Sequence, residues 1–377
     1  MSFSLLSYLE GVQDPRVERT RLHPLPAILG IALCAVLCGA DSFVEMEEFG
    51  KAKEEWLATW LPLENGIPSH DTFARLFARL EPQVLGDLLI ATSQLFRGGK
   101  ATQICIDGEY LRHSYDTATG QKALVMVNAW ANGSRLVLAS VAVSEKSNEI
   151  TAVPKVLSSL DLTGCVVTLD AMGCQKKIAR QIVSGGGDYF LALKGNHEQV
   201  HSDVAGFFEH SQSKGWEERP VEVFETFDAE HGRRERRRLS QVNLRDYGEA
   251  WSDVTKEWCG LKSLLRLDSE RELDGKVSVE TRYYLSSLVG DARRALSCVR
   301  SHWGVENGLH YVLDVAFLED GCRVRKDYAS ENLAHLRQLA LNLLRLEKSS
   351  KVGVRVKRSK AGWDEGYLLK VLGSCPI

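Results

Sequence analysis

The hydrophobic period of this chain changes near residue 101, and that change limits the folds open to it. Before it, apolar residues recur at helical spacing: Leu5, Leu6 and Leu9, then the stretches 28–37, 43–49 and 56–61. In IPSHDTFARLFARLEP, Ser69 is placed to cap a short helix whose inner face is Thr72, Phe73, Leu76, Phe77 and Leu80. After the change, QICIDGEYL, ALVMVNAWA and RLVLASVAVSE are short β-rich runs, and NGS at 132–134 supplies a turn.

Three strands in sequence predict an antiparallel meander whose first strand carries Asp107. EITAVPKVLSSL then reads as a helix, CVVTLDA as a buried strand, QKKIARQIVSGGG as a helix ended by glycines, and DYFLALKGN as another strand. That order is the order of a ribonuclease-H-like core, a mixed sheet with helices on its faces. The fold expected is therefore α/β. A helical domain over 1–98, open between DNA-end binding, dimer contact and plain structural support, precedes the mixed α/β domain over 99–348, and a basic tail follows over 349–377. Within the core, residues from about 197 to 288 read as a β-rich insertion. Beyond it come helices over 291–315 and about 329–347, the second, ENLAHLRQLALNLLRL, strongly amphipathic.

Composition excludes several function classes. A net charge of −3 leaves no global attraction for a polyanion, so any nucleic-acid contact must come from local basic patches. The nine cysteines, Cys34 to Cys375, are scattered, odd in number and mostly in apolar runs. No paired CxxC occurs at zinc spacing, so they read as buried reduced thiols of a cytoplasmic protein. The start lacks the regions of a signal peptide. The uncharged run 24–40 is at the short limit for a membrane span and contains Pro24, Pro26, Gly30 and Gly39, so it reads as a buried core helix.

Three carboxylates stand out. Asp107 in ICIDGEYLR and Asp170 in CVVTLDAMGCQ each follow a short apolar strand, and Glu306 lies in RSHWGVENGLHYVLDVAF. Read singly, a strand-end aspartate caps a turn. Two on adjacent strands repel unless a cation joins them. Hard Mg²⁺ takes such oxygen ligands together with substrate phosphates, which points to phosphodiester chemistry. His302, Glu306, His310 and Asp314 predict a polar stripe along one helix; the bland alternative is a solvated, ion-paired face. No H-E-x-x-H motif supports a softer metal.

Lys194 ends a strand beside Gly195, placed either to reach a phosphate or simply to face solvent. Arg112, Lys176, Lys177 and Arg180 flank the two aspartate motifs as candidate DNA contacts. The densest basic runs are Arg233, Arg234, Arg236, Arg237 and Arg238 in RRERRR, and RVKRSK at 355–360. Both are candidate DNA tracks, although a charge run is usually just solvated. His302, Asn307 and His310 are candidates for orienting phosphates or supporting Glu306. Trp130 and Trp303 read as core residues first and base-stacking platforms second.

Taken in order, GIPSHDTFARLF, IDGEYLR, TLDAMGCQ, DYFLALKGN, HGRRERR, YYLSSL, HWGVENGLHYVLDVAFLEDGCRVRKDYASENLAHLRQLALNLLR and AGWDEGYLLKVL resemble the motifs of the DDE insertion-sequence transposases, specifically the group of H-repeat-associated proteins. The resemblance covers nearly the whole chain. It implies a metal-binding triad of Asp107, Asp170 and Glu306 holding two Mg²⁺ ions, with Mn²⁺ able to substitute. It further implies cleavage of double-stranded DNA at element ends, strand transfer into target DNA, a homodimer on DNA and association with the nucleoid. Nuclease action without strand transfer, and a decayed DNA-binding relative, are the alternatives. The chain departs from the family at Glu109, commonly lysine, and at Val299 and His302, where related enzymes often place tyrosine and arginine.

Overall fold

The computed structural model describes residues 5–95, 102–115, 120, 122–143, 149–216, 220–230 and 232–373. It divides into two units built from interleaved segments. Unit 1 comprises residues 1–99, 108–148 and 306–377; unit 2 comprises 100–107 and 149–305. Cys375 lies outside the described residues. The eight described cysteines are unbridged, five of them buried.

Unit 2 is a mixed sheet with helices. Its strands are the start of β1 (Gln103–Leu111), β4 (Val166–Leu169), β5 (Asp188–Leu193), β6 (Val221–Glu230), β7 (Arg233–Asn243), β8 (Ser263–Leu273) and β9 (Lys276–Ser286). They lie in the order β1-β4-β5-β9-β8-β7-β6, parallel from β1 to β5 and antiparallel from β5 onward. The stretch read as an insertion thus continues the sheet, because β9 pairs directly with β5 through Phe190↔Ser286 to Leu193↔Tyr283. It also opens with a helix, Glu198–Ser213, that the sequence reading did not include. The helix Ala292–His302 starts on an Asp291 cap that accepts the Arg294 N–H. Ala292, Ala295, Leu296 and Val299 pack it onto Val166, Phe190, Leu239 and Leu265 of the sheet.

Unit 1 gathers the N-terminal helices, the hairpin β2 (Leu124–Ala131) and β3 (Leu136–Val143), and the C-terminal helices around one central helix, Ala329–Leu346. That helix packs on Leu25–Leu37, His70–Arg79, Pro82–Leu95 and β3. The amphipathic expectation for it needs correction, since its polar stripe is buried rather than solvated. Each stripe residue instead meets a backbone or amide partner, as burial requires. Asn342 accepts the Val137 N–H at 2.9 Å and donates to the Val137 carbonyl at 2.8 Å, standing in for a neighbouring strand. Gln338 donates to Asn128 at 2.9 Å, and Asn332 to the carbonyls of Phe77 and Leu80. The uncharged run is a buried helix, Leu25–Leu37, and among the described residues no helix is long and apolar enough to cross a membrane.

In the basic tail, residues 354–373 form two helices, Val354–Trp363 and Glu365–Gly373. Within RVKRSK, Lys357 and Arg358 are buried. Lys357 donates to the Leu344 carbonyl, and Arg358 to the Val36 carbonyl and Asp41. Cations committed to internal carbonyls are not available to track DNA.

Candidate active site

In unit 2, β1 and β4 run parallel in the register Gln103↔Val166 to Ile106↔Leu169. Asp107 and Asp170 are the next residues on each strand. Neighbouring strands lie ~4.8 Å apart, so register alone brings the backbones of these two residues next to each other at one end of the parallel pairing. Both strands are buried up to this point and open to solvent beyond it, Asp107 being half-buried and Asp170 exposed. The expectation that Asp107 ends its strand is corrected: β1 continues to Leu111 after the pairing with β4 stops.

The turn after Asp170 is tightly built. The Asp170 carboxylate accepts the Gly173 N–H at 3.2 Å. A Cβ on Gly173 would fall 2.4 Å from the Leu169 side chain, so the position requires glycine. Asn196 donates to the Ala171 carbonyl at 2.6 Å, and the His197 ring meets the Cys174 carbonyl at 2.6 Å. These bonds tie the turn after Lys194 to the turn after Asp170, and Lys194 itself is exposed at the end of β5.

The end of the Ala292–His302 helix is anchored to the same strands. Gln103 donates to the Cys298 carbonyl at 2.8 Å, and Thr168 Oγ1 meets His302 Nδ1 at 2.9 Å. Thr168 lies two residues before Asp170 on the same strand face. Trp303 is half-exposed with the Arg282 guanidinium 4.9 Å above its ring, whereas Trp130 is fully buried in the core.

In unit 1, Glu306 opens a single π-helical turn, Glu306–His310, followed by the helix Tyr311–Phe317. The stripe expected along one regular helix is therefore interrupted, and π turns of this kind frequently mark functional sites. Packing holds the turn from behind. Gly308 leaves only 3.0 Å between a notional Cβ and the Trp130 ring, and Arg345, stacked 4.7 Å from that ring, donates to the Gly308 carbonyl. This leaves Glu306 and Asn307 exposed and His310 buried. His310 Nδ1 lies 3.5 Å from the Glu306 carboxylate and 3.1 Å from that of Glu109. The buried imidazole of His310 is thus flanked by two carboxylates. Sequence reasoning treated Glu109 only as a departure; here it is the partner of His310, a role that spacing could not reveal.

Further acids line the same part of unit 1. Burial, then Asp320 and Glu109, raises the Asp314 carboxyl above its usual range. Burial pushes Glu319 up to about 7, against the opposing pull of Arg337, which is 3.8 Å away. The burial effect prevails because the contact is loose. Arg112 is exposed and pairs with Asp320 at 3.2 Å.

The other basic candidates lie elsewhere. Lys176 pairs with Glu257 at 2.5 Å, and Lys177 and Arg180 are exposed on their helix. The RRERRR run is strand β7, where most of its cations meet carboxylates. Arg233 and Arg237 pair with Glu235, Arg234 with Glu272, Arg236 with Glu225, and Arg237 also with Asp228; Arg238 is exposed. Glu235 of β7 itself and acids of the neighbouring strands β6 and β8 neutralise them.

Each of the three acids, Asp107 and Asp170 in unit 2 and Glu306 in unit 1, offers carboxylate oxygen, the donor type that a hard divalent cation takes. Comparison with known proteins places this arrangement in context. The family model described as "Transposase DDE domain" matches residues 87–343, and that described as "DDE_Tnp_1-associated" matches residues 6–91. A protein of Escherichia coli O157:H7 named "Putative transposase YncI" is 38% identical over 99% of this chain and 95% of its own length. "H repeat-associated putative transposase YhhI" of E. coli K12 is 35% identical over 98% of this chain and 97% of its own. A piggyBac transposase synaptic complex with hairpin DNA aligns over 98% of this chain and 76% of that one, at a TM-score of 0.42 and 9% identity.

Proposed function

The chain belongs to the DDE transposase family, and from that premise we propose that it cuts DNA at the ends of an insertion element and joins the freed 3′ ends to target DNA. The catalytic domain on this reading is ribonuclease-H-like, with Asp107, Asp170 and Glu306 as its metal-binding acids. The observation that carries the reading is the register of β1 and β4, which leaves Asp107 and Asp170 adjacent where two buried parallel strands open to solvent. Ligands of such sheets bind at the carboxyl ends of the strands.

Bound Mg²⁺ or Mn²⁺ would supply activation of a water or 3′-hydroxyl nucleophile and stabilisation of the leaving oxygen. The residues do the positioning. The Gly173 N–H orients the Asp170 carboxylate, and His310, backed by Glu109, orients Glu306. Thr168, two residues before Asp170, fixes the orientation of the His302 ring. Lys194 offers a cation at the neighbouring strand end. Two element ends must be joined in one event, so the acting species is proposed to be a homodimer on DNA.

The test uses full-length protein and a plasmid carrying this gene with its native flanking DNA. Strand cleavage at the element boundary in Mg²⁺ is expected, abolished by EDTA and by Asp107→Ala or Glu306→Ala. Supplying pre-cut ends should then give joined product. Cleavage that survives either substitution removes the proposed triad, and cleavage without joining reduces the activity to that of a nuclease.

A further inference from the structure

A groove of about 730 Å³ in unit 1 has no part in the chemistry above. Arg135 of the β2–β3 turn lines it, with Tyr311 and Val315 of the helix after the π turn, and Lys348, Lys351 and Arg355 of the segment leaving the central helix. Among the described residues, no aspartate or glutamate lines it. The four outer cations, Arg135, Lys348, Lys351 and Arg355, are all exposed, and among the described residues none forms an ion pair with a carboxylate. The arginines of β7 are the contrast, since acids on adjacent strands already hold most of them.

Two further observations make this more than a charged surface. Arg135 adopts φ 58°, a left-handed conformation that a non-glycine residue takes only where its surroundings impose it. Its carbonyl accepts from Arg345 at 2.8 Å, which fixes the turn over the groove. Arg345 lies behind, and burial followed by the Arg135 charge pulls its pKa down to about 9. Tyr311 is 61% exposed beside these cations and directly follows the turn that begins at Glu306. Unpaired cations around an exposed aromatic ring match a single nucleic-acid strand, phosphates on the cations and an unpaired base on the ring.

We propose that this groove holds a DNA strand next to the one that meets Glu306, with Arg135, Lys348, Lys351 and Arg355 on its phosphates and Tyr311 stacked on a base. The inference rests on DNA being the substrate, as proposed above. Its test is fluorescence anisotropy of the full-length protein with a labelled oligothymidylate of about 15 nucleotides, in EDTA and across a salt series. Lys351→Gln with Arg355→Gln should weaken binding about tenfold and reduce the salt slope by about 1.4, at ~0.7 per phosphate lost on a single strand. Tyr311→Ala should weaken binding to the oligothymidylate with the slope unchanged, and make no difference on an abasic strand of equal length. Arg135→Gly suits the left-handed backbone, so the melting temperature should hold or rise while affinity falls. Arg234→Gln on β7 is the control and should bind as the unaltered protein does.

Groove variants that melt normally yet bind with unaltered affinity and slope overturn the groove. If the unaltered protein still cleaves in Mg²⁺, the transposase reading survives that result. A protein that neither binds the oligomer nor cleaves its own element overturns both.

Discussion

The acids of the proposed centre are held in two different ways. In unit 2, Asp107 and Asp170 owe their adjacency to backbone register, since the β1–β4 ladder ends one residue before each. In unit 1, Glu306 owes its exposure to side-chain packing, because Trp130 and Arg345 brace the π turn that presents it. Register is set by many hydrogen bonds and survives the loss of any one side chain. A packed brace depends on a few large groups. The difference separates two kinds of damage: substitutions at the aspartates should remove chemistry and spare the fold, whereas substitutions behind Glu306 should affect both.

The largest expected effect tests the register side. Asp170→Ala should lower the cleavage rate by about 10³-fold or more, the several kcal/mol that a metal ligand supplies, while leaving the melting temperature nearly unchanged because the side chain is exposed. A large drop in melting temperature would break the comparison. On the packing side, Trp130→Ala empties a fully buried position and should cost ~3–5 kcal/mol in denaturant unfolding, with loss of cleavage even under conditions where the protein remains folded. Full activity in the folded variant would show that Glu306 does not depend on that brace.

A smaller effect depends on pH. Glu319 has its folded-state pKa raised to about 7, so folding favours its protonated form. The carboxyl imposes no cost below its unfolded pKa, and stability falls as pH rises from there through about 7. Glu319→Gln stays neutral throughout. It should raise the melting temperature at about pH 8, by up to ~3 kcal/mol of stability, and by much less at about pH 5. An equal gain at both values would contradict the burial account.

Glu109→Gln removes the charge behind His310 and should raise the Mg²⁺ concentration needed for half-maximal cleavage about tenfold, as loss of a group supporting a metal ligand does. An unchanged metal requirement would leave the His310 contact without consequence. Smallest of all, Arg234→Gln on the exposed ribbon should stay within about 0.5 kcal/mol of the unaltered stability.

Short-range signals carried much of this to the surface of the sequence. Short apolar, β-rich runs marked the strands from β1 to β5, the stretch holding β6 to β9 read as β-rich, and the two aspartates were visible as polar residues closing buried runs. Folding detail at Glu306 was not visible, because a π turn depends on Trp130 and Arg345, which are distant in sequence and carry no local signature. The central helix misled for a related reason. Asn332, His335, Gln338 and Asn342 have the spacing of a solvated face, and only tertiary partners such as the Val137 backbone make that face internal. Likewise, the cations of RRERRR and RVKRSK look alike in sequence, yet one run is largely ion-paired on a ribbon and the other partly buried. The interleaving of the two units is equally invisible to a linear reading, since residues 100–107 and 108–148 separate only through their contacts.

The central claim is that Asp107, Asp170 and Glu306 each bind the divalent ion used in cleavage. Replacing each in turn by cysteine tests this most directly, since a thiolate is a poor ligand for Mg²⁺ and a better one for softer Mn²⁺. Each variant should lose cleavage in Mg²⁺ and recover a measurable part of it in Mn²⁺. Cleavage in Mg²⁺ at the unaltered rate by any of the three would contradict the assignment of that residue.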